Sequence, residues 1–529
     1  MSALVALSLA ASLASMLERR RRRDGGLGLE TLVLVTTTWL VLVGLLATAL
    51  ALLGAFGPVT MSVASWLSAA SAWPWGRPLP TFSARPRWPT ALGLLLVLGG
   101  MLLRHPTADY PLAGRDQGTY TLRAQHTLRT GRLDATDATL AEIEGARSRP
   151  GPADLRGLYT RRSEPWRRDR YEAAYRPGFY LADVESGHVR PQFFHLHPML
   201  MATAGLVVGP ANVAAVVPLW SALAMLGLWA VARRLWPEGP WAWLALALWV
   251  STPLAIWVQR TALSEGPATV LVLGGLLAVL RTRTHGVGEL HTAAYLLGAL
   301  AWVRGNGWLA APLLLAAQWL VPRSEPAARG SGLRYAAMFG AAVLVHAPTT
   351  YPYLHDELLR QLPIDAHLTP TMIIAATTAG LAGWFAADEQ GPLRRHEATW
   401  LPRLHRWGPP VLVGLLLVAI AGYVALRVEP LARPFSRLDA ALPLLGAVAL
   451  GLAALGLGRT LRQWPRTPSA TGAWRLGLAA MLVATVGLYA QRNLPQLGLY
   501  YYGRYLVPEL LPATLLLAVE GLRGIHAWV

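Results

Sequence analysis

Apolar stretches recur along nearly the whole chain and are separated by short polar connections. Each is about 15 to 25 residues long, and about 20 apolar residues in a helix cross a hydrocarbon core of about 30 Å. The period-two alternation that a membrane barrel needs is missing, so the predicted spans are helices. The predicted spans are residues 2–17, 31–56, 58–75, 88–103, 213–232, 240–258, 263–280, 291–303, 308–321, 333–350, 371–386, 409–426, 440–457, 475–490 and 505–522.

One long polar stretch, residues 104–198, interrupts this pattern. Loops of this length are usually functional, and we expect short helices within it. The pattern divides the chain into N-terminal membrane spans (1–87), a membrane core that includes the long loop (88–350), and C-terminal membrane helices (351–529). We therefore predict an all-α polytopic membrane protein with about 13 to 15 transmembrane helices.

The composition agrees with a membrane protein, since 54% of residues are hydrophobic and only 14% are charged. The net charge of +18 comes from arginine alone, because the chain has no lysine. Basic connections between spans remain cytoplasmic, so this charge indicates membrane orientation rather than nucleic-acid binding. The clusters that share one predicted side are Arg233/Arg234, Arg281/Arg283, Arg323/Arg329, Arg394/Arg395/Arg403/Arg406 and Arg459/Arg462/Arg466. On this count the long loop lies on the external face of the cytoplasmic membrane.

Two residue types are absent, and each absence removes a class of chemistry. Without cysteine the chain forms no disulfide and no thiolate metal site. Without lysine it has neither a Schiff-base nucleophile nor a Walker-type phosphate loop.

The candidate base is Asp116, which follows the span 88–103 and opens the long loop. A carboxylate at a membrane surface can take the proton of an acceptor hydroxyl or amine as that group attacks. The alternative interpretation is an exposed loop aspartate without a catalytic role.

Further polar groups cluster at the external ends of other predicted spans. They are His195 and His197, Arg260 with Glu265, Arg304, and Arg504 with Tyr505. An arginine fork matches the geometry of a phosphate, although single arginines also reach lipid headgroups and tyrosines form interfacial belts. The two histidines lack a clear third ligand, which leaves a divalent metal possible and its requirement open.

The order and sidedness of these motifs resemble the GT-C glycosyltransferases, in particular the protein mannosyltransferase and aminoarabinose transferase branch. The matching residues are Asp116, Gly118 and Tyr120, His197-Pro198, Ser264-Glu265-Gly266-Pro267, Arg304, and Arg504-Tyr505-Leu506-Val507-Pro508. The resemblance covers residues 88–350 and the last helix.

The resemblance implies a GT-C-like helical bundle and an inverting transferase that uses a polyprenyl-phosphate sugar. Asp116 would be the base, and the acceptor would be a glycan, lipid or protein. Its implied donor and substrate contacts are Arg260, Glu265, Arg304, Arg504, Tyr505, Tyr120 and His197.

The sequence departs from the family pattern in three ways. Gln117 stands where the family often has glutamate, extra spans precede residue 88, and the long loop is longer than usual. Two alternatives stay open: a polymerase or ligase of lipid-linked glycans, and a polytopic lipid or glycan transporter. A transporter favours charges at the centre of the membrane, whereas the charges here cluster at one face.

Overall fold

The computed structural model describes most of the chain up to residue 350 and several later segments. The described residues are 1–72, 88–108, 116–139, 142, 159–161, 171–173, 179–183, 186–286, 288–320, 327–350, 403, 407, 411, 435–436, 444–462, 477–486, 493–494 and 503–528. The predicted span 371–386 lies outside them, as does nearly all of 409–426.

Helices dominate the described chain, as the apolar pattern predicts. They are α1 (Ser2–Asp24), α2 (Leu29–Leu52), α3 (Pro58–Ala72), α4 (Trp88–Leu103), α5 (Asp116–Thr130), α6 (Leu196–Val208), α7 (Val216–Leu235), α8 (Trp241–Ser251), α9 (Pro253–Val258), α10 (Glu265–His285), α11 (Gly288–Ala299), α12 (Ala311–Leu320), α13 (Ala327–Thr350), α14 (Ala447–Arg462), α15 (Gly477–Val486) and α16 (Leu510–His526). Short 3-10 turns precede α7, α12 and α16.

Four helical segments of the described chain are long and apolar enough to cross a membrane. They are Ser2–Asp24, Leu29–Leu52, Pro210–Leu235 and Glu265–Thr282. The apolar window of the last is 100% buried, whereas that of α1 is only 28% buried. Helix α10 is therefore at the centre of the bundle, where it packs against α2, α7 and α11.

Small residues allow some helices of this bundle to approach closely. A Cβ atom on Gly93 of α4 would lie 2.0 Å from the Trp229 ring of α7, so only glycine fits there. Trp229 is fully buried, together with Trp220 and Trp249. Small residues at such contacts are characteristic of helices that associate in a membrane.

The predicted span 240–258 is broken at Pro253 into α8 and α9. Thr252 is extended because it precedes proline, and Pro253 has no N–H for the carbonyl of Trp249. The buried guanidinium of Arg104 donates to the carbonyls of Trp249 and Val250, each at 3.3 Å. Arg104, which directly follows α4, thereby adds donors to two carbonyls at the break; that of Trp249 also accepts the Thr252 amide at 3.3 Å.

The long loop contains a small antiparallel sheet in addition to α5. Its strands are β1 (Ala135–Thr136), β2 (Tyr159–Arg161), β3 (Tyr171–Ala173), β4 (Phe179–Asp183) and β5 (His188–Pro191), in the order β1-β5-β4-β3-β2. Two further short strands, β6 (Phe435–Ser436) and β7 (Asn493–Leu494), pair with each other. The sequence analysis predicted only helices in the loop, so this sheet is an addition. Strand β5 leads directly into α6, an apolar helix that the predicted spans had also omitted.

Candidate functional site

Helix α5 presents its polar residues to the site on one face. Asp116 is its first residue, and Tyr120 and Arg123 follow at i+4 and i+7, the spacing of one helical face. As the first residue of the helix, Asp116 also lies at the positive end of the helix dipole.

Arg504 connects this face to the far end of the chain. Its guanidinium donates to the Asp116 carboxylate, 388 residues away in sequence, and its Nε lies 3.6 Å from Oε1 of Glu265. The side chains of Arg504 and Glu265 are 2% and 1% exposed, whereas that of Asp116 is 26% exposed. One buried arginine therefore lies between two carboxylates from different helices.

Glu265 reaches the site because it begins α10, directly after Ser264 at the N-cap position. Removing a carboxylate from water costs several kcal/mol unless cations and hydrogen bonds compensate. Arg504 and Arg304 both exert a favourable charge interaction on Glu265, and the first turn of α10 adds its dipole. The site is thus nearly neutral, with two guanidinium groups against two carboxylates.

The ring of Tyr505 lies close to both arginines. The guanidinium carbon of Arg504 lies 4.7 Å from the ring centroid, and that of Arg304 lies 5.4 Å from it. Arg504 also donates to the Tyr505 hydroxyl at 3.0 Å. A ring face attracts cations, so Tyr505 holds two like charges in one site.

Arg304 comes from a tight turn between α11 and α12. Its Nε donates to Oδ1 of Asn306 at 3.0 Å, and the Gly307 amide donates to the Arg304 carbonyl at 3.2 Å. A Cβ atom on Gly307 would lie 2.6 Å from the carbonyl carbon of Leu300. The turn therefore requires glycine at this position.

Tyr120 lies one helical turn after Asp116, and its side chain is buried. Its hydroxyl is in hydrogen-bond contact with the Ser264 side chain, and burial raises the pKa of Tyr120 above its ordinary value. The phenol is therefore protonated at neutral pH. Its ring lies 5.0 Å from that of Phe193 and meets the His197 ring edge-on at 5.2 Å.

These residues enclose a small cavity of about 30 Å³, room for one or two water molecules. Its lining includes Asp116, Tyr120, Glu265, Arg304 and Tyr505. A sugar phosphate is far larger, so such a ligand fits only if the cavity enlarges.

Another buried arginine, Arg123, connects α5 to the segment that follows β5. It donates to the carbonyls of Phe193 at 2.6 Å and Phe194 at 3.2 Å, and it also contacts Nδ1 of His195. Burial lowers the pKa of Arg123 to about 9, which still leaves it charged at neutral pH. Arg123 therefore fixes the aromatic wall of the cavity.

The hydrogen-bond partners of two histidines assign their tautomers. His346 donates from Nδ1 to the Ala342 carbonyl at 2.6 Å, and its Nε2 accepts the His195 amide at 3.0 Å. His195 accepts from Arg123 at Nδ1, so its Nε2 carries the proton and faces the Thr349 hydroxyl at 2.5 Å. Both imidazoles are neutral structural groups that connect α5 to α13.

The structure brings together most of the site residues that the sequence singles out. Asp116, Glu265, Arg304, Tyr505 and Tyr120 line one cavity, and Arg504 contacts two of them, Asp116 and Glu265. His197 is buried behind Tyr120. Arg260 does not line the cavity; its Nε donates to the Pro106 carbonyl at 3.1 Å.

Arg123 and His346 are site-supporting residues that the sequence analysis missed. The i+7 spacing from Asp116 is a signal that could have identified Arg123. A lone histidine in the apolar run 333–350 gives no such signal, because its partner His195 is 151 residues away.

The described residues contain no group of three or more His, Asp or Glu side chains arranged to hold a metal ion. No protein-family model, curated protein or solved structure matches the chain in the three comparisons made.

Proposed function

We propose that this chain is a multi-pass membrane glycosyltransferase of the GT-C type. It transfers a sugar from a polyprenyl-phosphate donor to an acceptor hydroxyl or amine. The observation that carries the proposal is the contact of Arg504 with Asp116 and Glu265, two carboxylates that line one cavity together with Arg304. A candidate base and two candidate phosphate ligands, far apart in the chain, meet at one place.

Arg504 and Arg304 are the groups that would bind the donor phosphate. Guanidinium forks match phosphate oxygens, and each charge-assisted hydrogen bond contributes about 1.5–3 kcal/mol. Because two carboxylates already balance these cations, the donor phosphate replaces Asp116 as the partner of Arg504. Glu265 stays paired and keeps Arg504 in position.

Donor binding would thereby release the base. When the donor phosphate becomes the partner of Arg504, the Asp116 carboxylate is left free to accept the proton of the acceptor. The same exchange widens the small cavity, so release of the base and donor entry are one event.

The chemical step exchanges one bond at the anomeric carbon for another. The acceptor oxygen or nitrogen forms a bond to the anomeric carbon, its proton moves to Asp116, and the bond from that carbon to the phosphate oxygen breaks. Polyprenyl phosphate leaves with the bonding electron pair, and Arg504 and Arg304 stabilise the charge on its oxygens. Attack opposite the leaving group inverts the anomeric centre.

The proposed membrane depth is supported by α10, which begins at Glu265 and whose apolar window is fully buried. A site at the end of such a helix would lie at headgroup depth, where the phosphate of a lipid-linked donor lies. The arginine clusters at the other ends of the predicted spans favour a site on the external face of the cytoplasmic membrane.

The test is sugar transfer by membranes carrying Asp116→Asn, supplied with a panel of polyprenyl-phosphate sugars. We expect transfer to fall about 10²- to 10⁴-fold, the contribution of a general base. Donor binding should be kept or become tighter, because Arg504 no longer has Asp116 as a competing anion. The matched control is Asp134→Asn, an exposed aspartate of the same loop, which should transfer normally.

Normal transfer by Asp116→Asn would remove Asp116 from the mechanism. Movement of the donor across the membrane without release of polyprenyl phosphate would instead identify a transporter. Extension of a lipid-linked glycan chain would identify a polymerase.

A further inference from the structure

A second and much larger cavity, of about 960 Å³, lies at the other end of α10. Arg281 and Thr284 of α10 line it, together with Asp24, Glu30 and Arg233. Arg281 follows Glu265 by 16 residues, which at 1.5 Å per residue separates them by about 24 Å. The two cavities therefore lie near opposite faces of the proposed membrane.

The acidic groups of this second cavity are already neutralised. Arg281 donates to Asp24 at 2.6 Å and to Glu30 at 2.7 Å, and it is almost fully buried. Arg20 of α1 adds a contact to Asp24 at 3.0 Å. Both carboxylates therefore already take part in structural ion pairs, which join α1, α2 and α10.

Two arginines on α7 leave an excess of positive charge at the cavity. Arg233 is exposed and makes no ion pair within the described part of the chain; its guanidinium lies 5.6 Å from the centre of the Trp229 ring. Arg234 donates to the Thr284 hydroxyl and reaches Glu30 only at 3.5 Å. A ligand that satisfies these guanidinium groups is an anion.

The first turn of α2 adds backbone donors to the lining of this cavity. Gly25 ends α1 with a φ of 74°, which glycine adopts readily, and the chain turns at once towards α2. Gly28 is the N-cap of α2 and offers no side-chain cap, and Leu29, Glu30 and Thr31 of the first turn line the cavity. Amide groups and the helix dipole at such a terminus favour phosphate.

We propose that this cavity binds a phosphate group, and that Arg233, Arg234 and the first turn of α2 hold it. The chemistry fits the headgroup of an anionic phospholipid and a free phosphate alike. The cavity volume leaves room for a glycerol headgroup beyond the phosphate, and the cavity lies at the ends of apolar helices, where lipid headgroups lie.

The experiment uses the full chain, purified in an uncharged detergent, with phosphatidylglycerol as the probe. Native mass spectrometry counts the lipid molecules retained by wild type and by Arg233→Gln. We expect one tightly held phosphatidylglycerol on wild type and about tenfold weaker binding to the variant, the loss that one charge-assisted contact predicts. The matched control is Arg19→Gln, an exposed arginine of α1 outside the cavity, which should bind like wild type.

A second arm replaces the lipid with inorganic phosphate and follows the thermal unfolding temperature. If phosphate stabilises wild type, Arg233→Gln reduces that stabilisation, and no lipid is retained, the same site is assigned to a soluble phosphate. Equal lipid binding by all three proteins together with no phosphate effect overturns the proposal. Neither arm measures sugar transfer, so failure here and failure of the proposed function are distinguishable.

Discussion

The buried pair of Arg504 and Glu265 yields a stability prediction that does not depend on catalysis. Arg504→Met leaves Glu265, which is 1% exposed, without its nearest cation. Removing one partner of a buried pair costs about 3–5 kcal/mol, because the remaining charge is uncompensated. Arg304 still attracts Glu265, so we expect the lower end of that range.

The converse variant, Glu265→Gln, should cost less, about 1–3 kcal/mol, because Asp116 still pairs with Arg504. The double variant removes both charges together. Its loss should therefore fall short of the summed single losses by about 2 kcal/mol, within the range for contacting residues.

The assay is the free energy of unfolding, measured by titrating the protein from mild detergent into sodium dodecyl sulfate micelles. Arg19→Met serves as the control, because Arg19 is exposed on α1; it should show no measurable loss. Single losses that add to the double loss within about 0.5 kcal/mol would refute the coupling of Arg504 with Glu265.

Two further variants test the groups that shape the cavity. Arg123→Met leaves the Phe193 and Phe194 carbonyls without their buried donor and should lower stability by about 1–3 kcal/mol for each carbonyl. Arg129→Met, exposed on the same helix, should leave stability unchanged. Equal melting temperatures of the two variants would contradict the role of Arg123. Gly307→Ala meets the Leu300 backbone and should cost about 1–3 kcal/mol. Gly340→Ala, with open space around it in α13, should be neutral or stabilising, and a tolerated Gly307→Ala would contradict the tight turn.

Much of the helical framework could be predicted from the sequence, because long apolar runs leave the backbone few alternatives to helix. The predicted span 88–103 coincides with α4 (Trp88–Leu103). The break at Thr252 was missed, although Pro253 is a local signal for it. The sheet was also missed, since its two- to five-residue strands are too short to show a period-two pattern.

Most residues of the candidate site could be named from the sequence, but the contacts between them could not. Glu265 stands out because a charged residue inside a predicted span is costly, and Asp116 and Arg504 stand out by their motifs near the ends of predicted spans. Which carboxylate faces which arginine depends on tertiary packing, as does the contact between His195 and His346. Arg260 shows the limit of this reasoning, since its sequence context resembles that of Arg304 and it lies outside the cavity.

The most direct measurement is an experimental structure of the protein with a polyprenyl phosphate bound. We expect the phosphate oxygens within hydrogen-bond distance of Arg504 and Arg304, with the Asp116 carboxylate moved away from Arg504 and facing an open pocket. A phosphate bound elsewhere, with the Asp116–Arg504 contact intact, would contradict the proposed role of this site.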